Sequence, residues 1–150
     1  MSVFGLVKNK KVWRYFPKEF IDLTHENLFK YKVFVPRANG SGAIGEVLST
    51  LLCCYTQSFI GIGSFDTEEK ANNCMKYIKS KFARTMLGIL KITQDNPPEK
   101  WRLVPLQNFT ENSDINWRVS VAEIDRQLYK KYGLSQEEID FIETHVKEME

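Results

Sequence analysis

The segment from Ser120 to Glu138 leaves room for little except two short helices folded back on one another. Ser120 stands three residues before Glu123, and Ser135 three before Glu138. At this spacing the hydroxyl accepts the backbone N–H of the acidic residue, and the carboxylate reaches back to the serine N–H. Gly133 follows Tyr132 where a helix must stop, and glycine enters the left-handed conformation of such a stop without steric cost. Leu134 is placed for the apolar contact that accompanies it. Ile139, Ile142, Val146 and Met149 then recur at spacings of three, four and three, which gives the second helix one apolar stripe. The pattern predicts a C-terminal helical hairpin.

Upstream the period changes. Tyr31–Val35 is an aromatic and β-branched run stopped by Pro36, and reads as a strand. Val12–Phe16, Val47–Leu52 and Ser58–Gly63 read as further strands, Val47–Leu52 also being compatible with a short helix over 46–54. Pro17 opens a helical turn over 18–23. Asp66 with Glu69 predicts a helix start, and Ala71, Cys74, Met75, Ile78 and Phe82 lie on one stripe behind it. Arg84–Leu90 continues that helix or breaks from it near Gly88. Trp101–Leu106 reads as a short strand carrying Pro105, and 108–117 as polar turns. The expected fold class is α+β: a mixed or antiparallel sheet with a central helix and a C-terminal helical hairpin. A single domain is expected, with a basic α/β body over 1–107 and a helical cap over 108–150.

Composition excludes the alternatives. At 43% hydrophobic and 27% charged the chain is neither disordered nor of low complexity. No apolar run reaches the roughly 20 residues of a membrane span. The N-terminus is apolar first and basic second, the reverse of a secretory signal. Cys53, Cys54 and Cys74 are odd in number and lack CxxC spacing, which fits reduced thiols and a cytoplasmic location. Residues 1–102 carry 16 Lys/Arg against 9 Asp/Glu, whereas 103–150 carry 5 against 10. The net +2 therefore divides into +7 and −5, and a basic portion of this kind suits a polyanion.

Catalytic motifs are poor. Gly40–Gly45 matches GxGxxG after a strand, but Pro36–Asn39 intervene where a dinucleotide site needs the first glycine directly at the strand end. Asp95–Pro98 resembles the Pro-Pro-aromatic loop of adenine-specific methyltransferases, yet Glu99 stands where an aromatic would stack on the base. Glu68–Lys70 contains ExK but opens a helix. His25 and His145 fall into no metal-ligand or nucleophile-base spacing. No catalytic residue, cofactor site or metal site is predicted in this chain. Readers of duplex DNA need Lys and Arg for phosphates and Arg, Asn, Gln or Ser for base edges. The loops 36–45 and 91–96 supply Arg37, Asn39, Ser41, Lys91, Gln94 and Asn96, with Lys32, Lys76, Lys79 and Arg84 as further basic candidates.

Four ordered stretches carry a resemblance: YKVFVPRANGSG (31–42), SFDTEEKANNCMKYIKSKFARTMLGILKITQDN (64–96), WRLVPLQNFT (101–110) and EIDRQLYKKYGLSQEEIDFIE (123–143). They resemble the C-terminal target-recognition region of large bacterial type II restriction–modification proteins. In that family an endonuclease, an adenine-specific methyltransferase and a recognition domain share one polypeptide. The resemblance covers roughly residues 29–150 and implies a domain that grips double-stranded DNA while partner domains methylate or cleave. It implies that S-adenosylmethionine and a divalent metal belong to those domains, which this chain lacks. It also implies that the 35–42 and 91–96 loops face DNA. Two other readings remain: a small nucleotide-binding enzyme using Gly40–Gly45, and a scaffold domain of the methyltransferase that does not contact DNA.

Overall fold

In the computed structural model, which describes residues 1–38, 48–50, 54–90 and 93–149, the strand Tyr31–Pro36 (β3) divides the molecule. Successive side chains of a strand point to opposite faces. Val33 and Val35 pack against the helices, whereas Phe34 packs against Phe4 and Phe59 on the other side. A strand covered on both faces must be apolar throughout or must satisfy its polar side chains internally.

Strands Ser2–Val7 (β1) and Lys10–Tyr15 (β2) form an antiparallel hairpin, and Cys54–Tyr55 (β5) adds in parallel to β1. Leu48–Thr50 (β4) and Phe59–Phe65 (β6) flank β3 antiparallel. The two three-stranded sheets thus run β2-β1-β5 and β4-β3-β6. The hairpin was not foreseen beyond its second strand. Its turn is Lys8–Asn9, both at positive φ (49° and 62°), so the two-residue type I′ geometry is made without glycine. In β6, Gly61 admits the Tyr55 ring: a Cβ there would lie 2.7 Å from the Tyr55 hydroxyl.

Helices Glu68–Lys79 (α1) and Lys81–Leu90 (α2) stand where a central helix, continuous or broken near Gly88, was expected. The break is at Ser80, whose ψ of 147° is extended. Its Oγ accepts the Ala83 N–H (3.1 Å), and Asp125 accepts those of Lys81 (3.0 Å) and Phe82 (2.9 Å), so α2 begins with its donors satisfied. The start of α1 shifts by one residue from the expectation: Thr67 accepts the Lys70 N–H, while Asp66 is drawn to Lys30.

The expected strand over 101–106 is a 3-10 helix over Pro98–Leu103. Beyond it, Tyr77 takes the Pro105 carbonyl through its hydroxyl (2.7 Å), in place of a neighbouring strand. Helices Val121–Tyr132 (α3) and Gln136–His145 (α4) form the expected hairpin, with Gly133 at φ 65° between them. Ser135 and Glu138 form the full reciprocal box; at Ser120 only the serine half forms, because Glu123 pairs with Arg126. One core joins Val33 and Val35 to α1, α2, α3 and Ile142, and also buries Phe109, Ile115 and Trp117 of the turn-rich 108–119 segment. The fold class is α+β, with the antiparallel and mixed sheets and the C-terminal helical hairpin the sequence implied. Among the described residues no helix is long and apolar enough to cross a membrane.

Candidate nucleic-acid interface

Two of the polar loops singled out in the sequence meet. Ala38 and Asp95 form an isolated antiparallel bridge, and the Asn96 N–H donates to the Arg37 carbonyl at 2.9 Å. Arg37 Nε reaches Asp95 Oδ1 at 3.2 Å, and the Arg37 N–H is held by the Ser58 carbonyl (2.9 Å). A cleft of about 590 Å³ opens beside this junction, lined by Lys11, Arg37, Gln57, Ser58 and Gln94 over a floor that includes Phe59. Both Arg37 and Asp95 are half exposed, so their pair is a screened surface contact that orients the guanidinium and contributes little to stability. Gln94 is exposed at the rim.

Asn96 is fully buried, and among the described residues neither its Oδ1 nor its Nδ2 has a hydrogen-bond partner. It is therefore part of the support under the junction and not a base-edge contact. Asn39, Ser41 and Lys91 lie outside the described residues, as does the Gly40–Gly45 loop.

The remaining basic candidates are placed elsewhere. Lys32 shares the Phe34 face of β3 and is fully buried. Its ammonium donates to the carbonyls of Asn27 (2.6 Å), Lys30 (2.9 Å) and Leu28 (3.3 Å), so it fastens the 27–30 turn to β3. Arg84 is 6% exposed and donates to the carbonyls of Lys79, Ser80 and Lys147, which ties the chain end to the α1–α2 junction. Lys76 holds the Trp117 (2.7 Å) and Val119 (3.1 Å) carbonyls. Lys79 is half-buried on the same helix. Lys32 and Arg84 are thus corrected from surface cations to internal fasteners. Alternation alone would turn Lys32 to solvent, but β3 has no solvent face.

Lys32→Met keeps the length of the stem and removes the ammonium from three carbonyls. Urea unfolding is expected to show a loss of about 2–4 kcal/mol. An unchanged midpoint would refute the fastening role.

The sequence reading missed the hairpin's contribution. β2 is exposed along almost its whole length and carries Lys10, Lys11 and Arg14, with Lys8 in the turn. The register puts Lys11, Trp13 and Tyr15 on the face of Leu6 and Phe4, and Lys10, Val12 and Arg14 on the other. Trp13 packs on Phe4 at 4.7 Å between ring centres and is still 47% exposed; Tyr15 is 87% exposed. The signal that could have revealed it is the apolar run 3–7 followed at once by an alternating basic run. Together they spell a hairpin even without a glycine turn.

Other chemistry is weak. A recess of about 420 Å³ beside Val3, Phe16, Phe20 and Leu28 has apolar walls. Its Asp22 already accepts from the Thr24 N–H and hydroxyl, and its His25 Nδ1 from the Asn27 N–H. Burial pushes the Cys74 thiol up to about 12, which makes it inert as a nucleophile.

Comparison of the chain with protein families, curated proteins and solved structures gives no match.

Proposed function

We propose that this chain is a double-stranded DNA-binding domain that reads its site through the cleft between the Arg37–Ala38 and Gln94–Asp95 segments. The observation that carries the reading is the Ala38–Asp95 bridge. It joins two polar segments 57 residues apart and sets Arg37, Gln57, Ser58 and Gln94 around one opening, with Lys11 of the hairpin at its edge. Guanidinium and amide groups are the side chains that discriminate base edges, and the hairpin's lysines suit flanking phosphates. The exposed edge strand β2 and the Lys8–Asn9 turn present that charge at the margin of the cleft.

The four-stretch resemblance extends the proposal: the domain would serve a restriction–modification enzyme by positioning DNA for methyltransferase and endonuclease domains. Catalysis, S-adenosylmethionine and metal would then belong to those domains.

Fluorescence anisotropy with duplex DNA across a salt series tests the reading. Log affinity is expected to fall linearly with log salt, by about 0.9 per phosphate contacted. Lys11→Ala is expected to reduce that slope by about one, and Arg37→Ala to cost discrimination between sites. Gln94→Ala should leave the slope alone and cost about 1–3 kcal/mol of discrimination between sites. Absence of binding near roughly 50 mM salt, where phosphate contacts are strongest, would overturn the proposal.

A further inference from the structure

We propose that the groove between α2 and α4 is a docking site for a lysine- or arginine-bearing amphipathic helix of a protein partner. This inference does not depend on DNA binding. Lys81 at the start of α2 pairs with Glu143 near the end of α4, while Ile89 and Glu137, at the opposite ends of the two helices, line the same groove. The helices are therefore antiparallel and leave a furrow of about 410 Å³ between them.

Its floor is Phe82, Met86, Leu134 and Ile142, and two large apolar side chains stand open at its sides: Ile89 is 60% exposed and Phe141 57%. Thr85 adds no free polar group, because its hydroxyl donates to the Lys81 carbonyl at 2.7 Å. Scattered exposed apolar residues are ordinary on a protein surface; a contiguous apolar furrow with open walls is the form that receives an amphipathic helix.

Charge selects the occupant. The described lining residues include Glu137 and Glu138 and no Lys, Arg or His. On the α4 side Asp140 and Glu143 are also exposed, Glu143 being paired with Lys81. A second copy of the chain docking by the same face would bring the same described lining, with no Lys, Arg or His, and so no counter-charge for Glu137 and Glu138. An anionic bilayer is repelled for the same reason. A helix with apolar anchors at i, i+3 or i+4 and i+7, flanked by cations, satisfies both the furrow and the rim. The ten residues of α4 span about 15 Å, which matches two to three turns of such a partner.

The test uses the full chain and a fluorescein-labelled 14-residue peptide with leucines at those anchor positions and lysines beside them. A matched peptide carries glutamates in place of the lysines. The lysine peptide is expected to bind at least about tenfold more tightly. The pair Ile89→Ser with Phe141→Ser is expected to weaken it about tenfold or more, and Glu137→Gln to narrow the preference between peptides while leaving the Ser135–Glu138 box intact. All three positions are exposed, so thermal melting by circular dichroism should stay close to that of the parent chain. Equal binding of the two peptides, or undiminished binding by the double variant, would overturn the proposal. So would a dimer in sedimentation that the double variant abolishes, or capture by phosphatidylserine vesicles that it abolishes.

Discussion

Asp125→Ala is expected to lower the stability at pH 7 by about 3–4 kcal/mol in urea unfolding, because it strands two buried donors at once. The Asp125 carboxylate is 2% exposed, yet it lies on α3 and serves α2, accepting the N–H groups of Lys81 and Phe82. Those groups open α2 directly behind the Ser80 break, where intrahelical partners do not exist. Around them Lys81 pairs with Glu143, Glu143 accepts the Tyr129 hydroxyl at 2.9 Å, and Arg84 reaches the Lys147 carbonyl. One side chain thus ties α2 to the C-terminal hairpin. For a domain with a stability on the order of 5–15 kcal/mol, the loss is a large share of the whole. A loss below about 1 kcal/mol would show that water replaces the carboxylate at the helix start.

The same residue sets a pH dependence. Burial pushes the Asp125 carboxyl up to about 6, against the weaker downward pull of the Phe82 and Lys81 N–H groups; the nearby Glu143 adds to the rise and Arg84 opposes it. In the unfolded chain the group titrates near 3.8. The folded state therefore binds this proton more tightly than the unfolded state. The stabilisation linked to the proton is complete below about 4 and is lost as the pH rises through about 6. The stability of the parent chain relative to Asp125→Asn should accordingly rise as the pH falls from about 7 to about 4, and stay level above 7. Taking the difference between the two proteins removes every other titration they share. A relative stability of the parent that fell on acidification would contradict the burial of this carboxyl.

What the sequence revealed and what it concealed divide by range. Ser120, Ser135 and Gly133 act on atoms within a turn of themselves, so their motifs were legible and the hairpin stands where they placed it. The Asp125 cap acts across 43 and 44 residues, and nothing local distinguishes it from any other acidic residue on a helix. Lys32 misled because alternation describes a strand with one wet face, whereas β3 is covered on both. Trp101–Leu106 has the composition of a strand, but among the described residues no strand pairs with it, and Tyr77 takes the Pro105 carbonyl. For the candidate site, the loops were legible by composition, yet their meeting at Ala38 and Asp95 was not. Of the ten residues nominated, Arg37 and Gln94 line the cleft, Asn96 supports it, and Lys32, Lys76 and Arg84 hold backbone carbonyls instead.

Phe4→Ala is expected to cost about 3–5 kcal/mol, the range for an aromatic side chain deleted from a close-packed interior. Phe4 is 2% exposed and touches three rings, Trp13 at 4.7 Å, Phe59 at 4.6 Å and Phe34 at 5.8 Å between centres. Trp13 belongs to the hairpin, whereas Phe34 and Phe59 belong to the β3 sheet. Phe4 is thus the wedge between the two sheets, and the small cluster around it is separate from the core that holds the helices. A two-stranded hairpin has marginal stability alone, so the basic hairpin depends for its position on this wedge, the short pairing with β5 and the Thr56 N–H bond to the Phe4 carbonyl. Two readouts should therefore separate in Phe4→Ala. Amide exchange in β1 and β2 should accelerate well beyond that in α1 and α3, because regions with few buried contacts open independently of the global transition. On the DNA-binding proposal, affinity should fall together with the part of the salt slope proposed for Lys11, although Lys11 itself is unaltered. Uniform acceleration across all elements would mean instead that the ribbon and the helical body unfold as one unit, and that the aromatic wedge belongs to a single cooperative core.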